Sequence, residues 1–446
     1  MLESLTGNSP FIVCPEADFA TERRLFRRQK GLIPIPFRAC SHTVEDTASR
    51  RAMHALAART FAREGIALDG HDVVEWLLDA IESGNESERR TILRFTEEGL
   101  YVRFQRTLQA ALPLHPKLRG IQPLGVIPAM ICSLPETAEI PSPLRGKLAL
   151  EEDEAVQLQA LPSGSIVSER GIPWGVGHIG APAAWSRTTG HRVKVGVIDT
   201  GVDFRHPDLR HSLERGINLL HRMELPQDDN GHGTHIAGTI AAANQQQGMI
   251  GVAPRAQIHP VKAFDHNGTA YVSDIILGIE WCVRNGIDVV NMSFGMKTRS
   301  RSLYAAVNSA YRSGVLIVAS SGNDGRTGAI DYPARYVNTI AVGATTRTGR
   351  IAGFTNRSRM IDVYAPGERI VSAWLRGKHR EMSGTSMATS HVTGAVALLL
   401  SLRPRLTPGQ IKSIIKRSAI PLRNSKPPRS TGELSVTRMI KLADLI

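Results

Sequence analysis

From His191 onward the chain alternates short, continuously apolar runs with stretches of helical character. RVKVGVI, AQIHPVKAF, DVVNMSF, VLIVAS, TIAVGAT and IDVYA read as buried strands, and helices are expected to begin near His232, Val272, Ser302, Ser386 and Thr407. The last has Thr407, Pro408 and Gln410 where a helix start places its cap, its first residue and its capping-box partner. Strands that are apolar without alternation bury both faces. Interleaved with helices they predict an α/β fold built on a doubly wound, mostly parallel sheet. In such sheets function gathers at the carboxyl ends of the strands.

The earlier part of the chain reads differently. Residues 86–165 mix strand-like LYVRFQ and VIPAMICSL, a short helix at 142–148 and strand-like AVQLQAL, which suits a small α+β unit closed by the linker Pro162-Ser163-Gly164-Ser165. Upstream, RRAMHALAARTFAR and DVVEWLLDAIE have helical spacing, and residues 1–43 show little periodicity. The expected domains are therefore a helical, partly unstructured extension at 1–85, the α+β unit at 86–165 and the α/β domain at 166–446.

Composition narrows the classes. At 446 residues, 42% apolar and 21% charged, the chain can bury at least one large core. Its net charge of +13 is spread over every region, so no nucleic-acid footprint is expected. The four cysteines, Cys14, Cys40, Cys132 and Cys282, have neither zinc-ligand spacing nor a disulfide pattern. No apolar run long enough to span a bilayer and no signal-peptide core in the first 30 residues is visible. The expectation is a monomer without membrane contact, cytoplasmic as written, or secreted if the start lies elsewhere or export is non-classical.

Three polar groups fall at element ends. Asp199 closes the first strand within VIDTGVD, His232 opens a helix within DNGHGTHIAGT, and Ser386 opens another, among small neighbours in EMSGTSMATSH. Each alone reads equally as a helix cap or a solvated residue. Together, on one sheet, they offer an orienting carboxylate, a general base and a hydroxyl nucleophile, with a helix N-terminus to stabilise developing negative charge.

VIDTGVD, HGTHIAGT and GTSMA resemble the motifs of subtilisin-like serine proteases, and the resemblance runs from about Gly171 to the end. The chain order Asp, His, Ser is itself the one known for subtilisin. The resemblance implies an endopeptidase with Ser386 as nucleophile, His232 as base, Asp199 as orienting carboxylate and Asn323 as oxyanion donor. It implies that protein or peptide substrates bind as an extended strand along Ser293-Phe294-Gly295 and Gly268-Thr269-Ala270, with Asp331 at the base of the P1 pocket, favouring basic side chains. It further implies a structural Ca²⁺ held by Asp208 and Gln245. The unit before the linker resembles the family's propeptide, an intramolecular chaperone and inhibitor, with cleavage between about Ser163 and Gly171. Two departures stand out: Arg170 replaces an expected N-terminal glutamine ligand, and Ser390 replaces a proline. The rival readings are a restricted processing protease for basic sites and a catalytically silent binding protein on a protease scaffold.

Overall fold

The computed structural model describes residues 70–82, 87–158, 166–167, 170–244, 248–422 and 431–445. The chain divides into two units, Met1–Ile66 and Ala67–Ile446, and the described residues all belong to the second. The lead-in at 1–43, the helical pattern at 50–63, the linker at 162–165 and Gln245 lie outside them.

The apolar runs form a nine-stranded sheet. Its spatial order is Ile217–Asn218, Gln257–Lys262, Lys194–Asp199, Val289–Met292, Leu316–Ser320, Thr339–Thr345, Val363–Pro366, Gly432–Glu433 and Ile420–Pro421. Every neighbouring pair is parallel except the last. The absence of alternation in these strands has a direct cause. Val195, Val197, Val318 and Val342 point into one apolar layer, while Ile198, Ile317, Ala319 and Ala341 point into the other. The helices His232–Ala241, Thr385–Leu402 and Pro408–Ser418 line the first layer; Val272–Arg284 and Arg301–Arg312 line the second. The next two strands of this sheet in sequence, Ile217–Asn218 and Gln257–Lys262, lie on one side of Lys194–Asp199, and the strand after them, Val289–Met292, lies on the other. The direction of sheet growth therefore reverses beside Asp199, where such folds form a crevice.

Thr385–Leu402 runs through the middle of the first layer, against Val289–Met292, Leu316–Ser320 and Thr339–Thr345. Contrary to the expectation from the sequence, it is long and apolar enough to cross a membrane by composition; here it is almost wholly buried inside the protein. Three features were not anticipated: an antiparallel pair, Ile370–Trp374 with Lys378–Met382, the short strands at 420–421 and 432–433, and the closing helix Val436–Ala443.

The α+β unit has a four-stranded antiparallel sheet in the order Gln122–Leu124, Ala129–Pro135, Glu88–Phe95 and Leu148–Glu152. Successive residues serve opposite faces. Leu93, Met130 and Cys132 meet Val73, Leu77, Leu100 and Phe104 of two helices, whereas Ile92, Ala129 and Ile131 join the second apolar layer of the large domain. The sequence reading needs three corrections here. LYVRFQ is not a strand but part of the helix Glu98–Ala111, because Leu100, Tyr101, Phe104 and Leu108 are the buried positions, a helical spacing. The helix Gly70–Glu82 packs on this sheet, so the boundary expected at residue 86 falls inside the unit. The helix expected at 142–148 is a single 3₁₀ turn, Ser142–Leu144, followed by the strand Leu148–Glu152.

Carboxylates of this unit meet the amino ends of two large-domain helices, where free N–H groups favour anions. Glu151 accepts from the Ser302 backbone N–H at 3.1 Å and from the Ser302 hydroxyl at 2.8 Å. Asp153 accepts from the Ser273 backbone at 2.8 Å and its hydroxyl at 2.6 Å, and Arg90 links Asp153 to Asp274 at 2.6 and 2.7 Å.

Candidate active site

Asp199 ends its strand fully buried, and His232 begins its helix almost fully buried. The His232 Nδ1 lies 2.8 and 2.9 Å from the two Asp199 oxygens. One of those oxygens also accepts from the Thr200 backbone at 2.8 Å. The helix start comes this close only because Gly233 has no side chain: a Cβ there would lie 2.1 Å from the Gly201 carbonyl and 3.2 Å from Asp199. Below it Asp228 accepts from the backbones of Asn230, Gly231 and Thr234 and from the Thr234 hydroxyl, tying the loop into the helix's first turn.

Donation to Asp199 fixes the proton on Nδ1 and leaves Nε2 as the imidazole's acceptor. That Nε2 is buried without a hydrogen-bond partner among the described residues. Burial pushes the imidazole down, but the Asp199 charge and hydrogen bond, with Asp228 behind them, outweigh it. The His232 pKa therefore stands above its ordinary 6.5. The second histidine of HGTH, His235, is wholly buried with its Nε2 shared by the Ile370 and Arg380 carbonyls; burial lowers its pKa to about 3, so it stays neutral.

Ser386 sits in the first turn of Thr385–Leu402, on a helix packed against the His232 helix. Its hydroxyl donates to the Ser293 carbonyl at 2.9 Å, and the Ser293 hydroxyl donates back to the Ser386 carbonyl at 3.2 Å. The Asn291 amide supports Ser293 at 2.7 Å, and Thr393 supports Asn291 at 3.0 Å. Asn323 follows the end of Leu316–Ser320, and its Oδ1 accepts from the Thr385 backbone and hydroxyl, both at 2.9 Å. That contact fixes which end of the amide carries the N–H₂ group. At Ser390 the hydroxyl turns back to the Met387 carbonyl at 2.7 Å, holding the first turn without a proline.

A hydroxyl at a helix amino end, an imidazole with an unpartnered nitrogen on the neighbouring helix and a carboxylate behind the imidazole form the minimal apparatus for acyl transfer. Comparison with known proteins agrees. Residues 190–438 match the model of the subtilase family. The chain belongs to the subtilase family. Among its relatives, the alkaline protease of Alkalihalobacillus alcalophilus is 42% identical over 61% of this chain and 71% of its own length. Subtilisin Savinase of Lederbergia lenta is 44% identical over 56% of this chain and 92% of its own length. Subtilisin E of Bacillus subtilis is 42% identical over 62% of this chain and 75% of its own length. This subtilase is a serine endopeptidase, a hydrolase of peptide bonds.

The two backbone edges expected to receive substrate are covered by the chain itself. Ala155–Gln157 pairs antiparallel with Thr269–Tyr271. Leu158 donates its N–H to the Gly268 carbonyl at 2.9 Å and bridges Phe294 on the other edge. Asp331 is buried behind Gly295 and Gly322, where an added Cβ would come within 2.7 and 2.5 Å of it, and its carboxylate accepts from the Lys297 ammonium at 2.8 and 3.0 Å. The sequence reading missed Asp228, Thr385 and Lys297. Only Asp228 carried a signal, an acid ahead of Asn-Gly at a helix start.

The described residues around Asp208 do not fit calcium, a hard ion that takes six to eight oxygens. The carboxylate accepts from His379 Nε2 at 2.7 Å, the Asn244 amide at 2.8 Å and the Met249 backbone at 3.1 Å. Its lone pairs are thus directed at N–H donors. His206, Asp208 and His379 bring their ligand atoms within 4.8 Å of one another, a set richer in nitrogen than oxygen. Gln245 lies outside the described residues. Burial raises the Asp208 carboxyl, but the hydrogen bonds from His379, Met249 and Asn244 outweigh it and hold its pKa below the ordinary value.

Two outcomes follow from this geometry. A general base must be neutral to take a proton, so with His232 in that role its raised pKa moves the acid limb of kcat/KM to the alkaline side of an ordinary imidazole. Asp199→Asn moves that limb to lower pH and cuts kcat by about 10⁴-fold, a loss of the size known for this carboxylate in serine proteases, subtilisin included. A pH–rate profile of both forms checks it. At Asp208, chelation of calcium leaves the melting temperature unchanged, whereas His379→Ala lowers stability by about 1–3 kcal/mol, the cost of a buried acceptor stripped of its donor. Because the Asp208 pKa is depressed, this contribution is present above the unfolded carboxyl pKa and is lost as pH falls through the folded one. Thermal melts with and without chelator, across acidic pH, report both.

Proposed function

We propose that this subtilase cleaves peptide bonds through an acyl-enzyme on Ser386 and is made as a self-processing zymogen. The Ser386 hydroxyl rotates from the Ser293 carbonyl to His232 Nε2 and attacks the scissile carbonyl as the imidazole takes its proton. Asp199 keeps the other nitrogen protonated and stabilises the imidazolium. The Asn323 amide and the Ser386 backbone N–H receive the oxyanion. His232 returns the proton to the leaving amine, and water then releases the acyl group by the same route. The substrate lies as an extended strand between Gly268-Thr269-Ala270 and Ser293-Phe294-Gly295, its P1 side chain reaching toward Asp331.

One observation carries the zymogen reading: Ala155–Leu158 already occupies those two edges in the antiparallel sense. The preceding unit docks through Glu151 and Asp153 on the helix ends beside them. A strand that pairs where substrate pairs, supplied by the same chain, is an intramolecular inhibitor until it is cut. Cleavage falls in the stretch between Leu158 and Gly171, after which the unit before it is free to leave the two edges. Ser386→Ala abolishes this processing: mass spectrometry of the purified wild-type chain finds a new amino terminus within 159–171 and a released fragment ending just before it, whereas the variant remains intact. An intact wild-type chain with full peptidase activity would overturn the reading.

A further inference from the structure

We propose that Lys297 is a built-in competitor for the P1 pocket: its ammonium occupies the carboxylates of Asp331 and Asp324 that a basic P1 side chain needs, and so sets P1 selectivity. The inference rests on the reading of Asp331 as the floor of that pocket.

The pocket's shape is given by its own backbone. Asp331 lies behind Gly295, next along the substrate edge from Phe294, and behind Gly322, which precedes Asn323 and donates its N–H to the Thr385 hydroxyl beside Ser386. Met296 and Tyr332 exchange two backbone hydrogen bonds at 2.9 Å, locking the segment that carries Lys297 to the one that carries Asp331. The Asp331 carboxylate thus packs against both of these backbones, beside the turn that carries Ser386.

The two partners of the ion pair differ in freedom. The Asp331 side chain is 3% exposed and is held from below by its backbone bond to Ser321 and by Asn356. Lys297 is 46% exposed and Asp324 37% exposed, so the lysine reaches inward from solvent on a flexible stem and also pairs with Asp324 at the rim. A buried carboxylate requires a counter-charge, while an exposed ammonium is readily exchanged. A P1 arginine or lysine therefore enters by replacing one cation with another, and most of the charge-assisted gain cancels. An apolar P1 residue leaves Lys297 in place. The wild-type pocket consequently discriminates only weakly in favour of basic residues despite its two acids, and removing the lysine uncovers a strong basic preference.

The test compares kcat/KM of wild-type and variant enzymes, each expressed as the full chain and assayed after self-processing, on two peptides that differ only in Arg or Phe at P1. Lys297→Ala raises the Arg/Phe ratio by about 10- to 100-fold, the range expected when a hydrogen bond to a charged group is gained. Lys297→Gln, uncharged and of similar length, shifts it in the same direction and serves if the alanine variant is unstable. Adding Asp331→Asn to either returns the ratio to the wild-type level or below. An unchanged ratio in both lysine variants, with Asp331→Asn alone still lowering it, overturns the role of Lys297 and leaves the pocket reading standing. If no change at Asp331 or Lys297 moves the ratio, the pocket reading fails and the inference with it.

Discussion

The hydrogen bond between Asp199 and His232 is the constraint around which this subtilase is arranged. It joins the last residue of a central strand to the first residue of a helix, both out of water. A carboxylate in that place is tolerable only if donors surround it. Nδ1, the Thr200 backbone and the close approach allowed by Gly233 supply that environment. Nearby, Lys262 reaches the Thr200 carbonyl and Asp229 at 2.7 Å each, so the strand end, the loop at 228–231 and the neighbouring strand hold one another in register. The Ser386 helix begins beside Ser293, just past the end of the strand Val289–Met292 that neighbours Lys194–Asp199.

A second theme is the use of helix amino ends. The same excess of unpaired N–H groups stands at the Ser386 turn, where the proposed mechanism develops charge, and at the two helices at Val272 and Arg301, where Asp153 and Glu151 of the preceding unit dock. Docking there sets Ala155–Leu158 against Thr269–Tyr271 and Phe294. Burial raises the Asp153 carboxyl pKa, even with the Ser273 hydrogen bonds and Arg90 beside it. Elsewhere in the domain, the Asp208 carboxylate is satisfied by His379, the Asn244 amide and the Met249 backbone N–H.

Much of the large domain was legible because its physics is repetitive. Runs such as VLIVAS and TIAVGAT admit little but strands buried on both faces, and Thr407-Pro408-Gly409-Gln410 announces its helix with a capping box that the structure contains. The residues Asp199, His232 and Ser386 could be picked out because small neighbours and element ends surround them. Less was legible where the signal is tertiary. LYVRFQ looks alternating in a short window, and only the wider spacing of Leu100, Phe104 and Leu108 makes it a helix. Whether Asp331 faces a substrate alone or through Lys297 depends on two segments 34 residues apart meeting in space. The surroundings of Asp208 were hidden for the same reason: Asp208 was visible, while His379, which donates to its carboxylate, lies 171 residues away.

The central claim is that Ser386 becomes a nucleophile through His232 and Asp199, and that the chain's own strand stands in the substrate's place until it is cut. Labelling with a fluorophosphonate probe, followed by peptide mass mapping over the course of processing, tests both halves at once. The account predicts label on the Ser386 peptide alone, rising only as chains cut between Leu158 and Gly171 accumulate, and none in Asp199→Asn within the same time. Peptide hydrolysis that continues with Ser386 unlabelled, or full labelling of uncut chains, would contradict it.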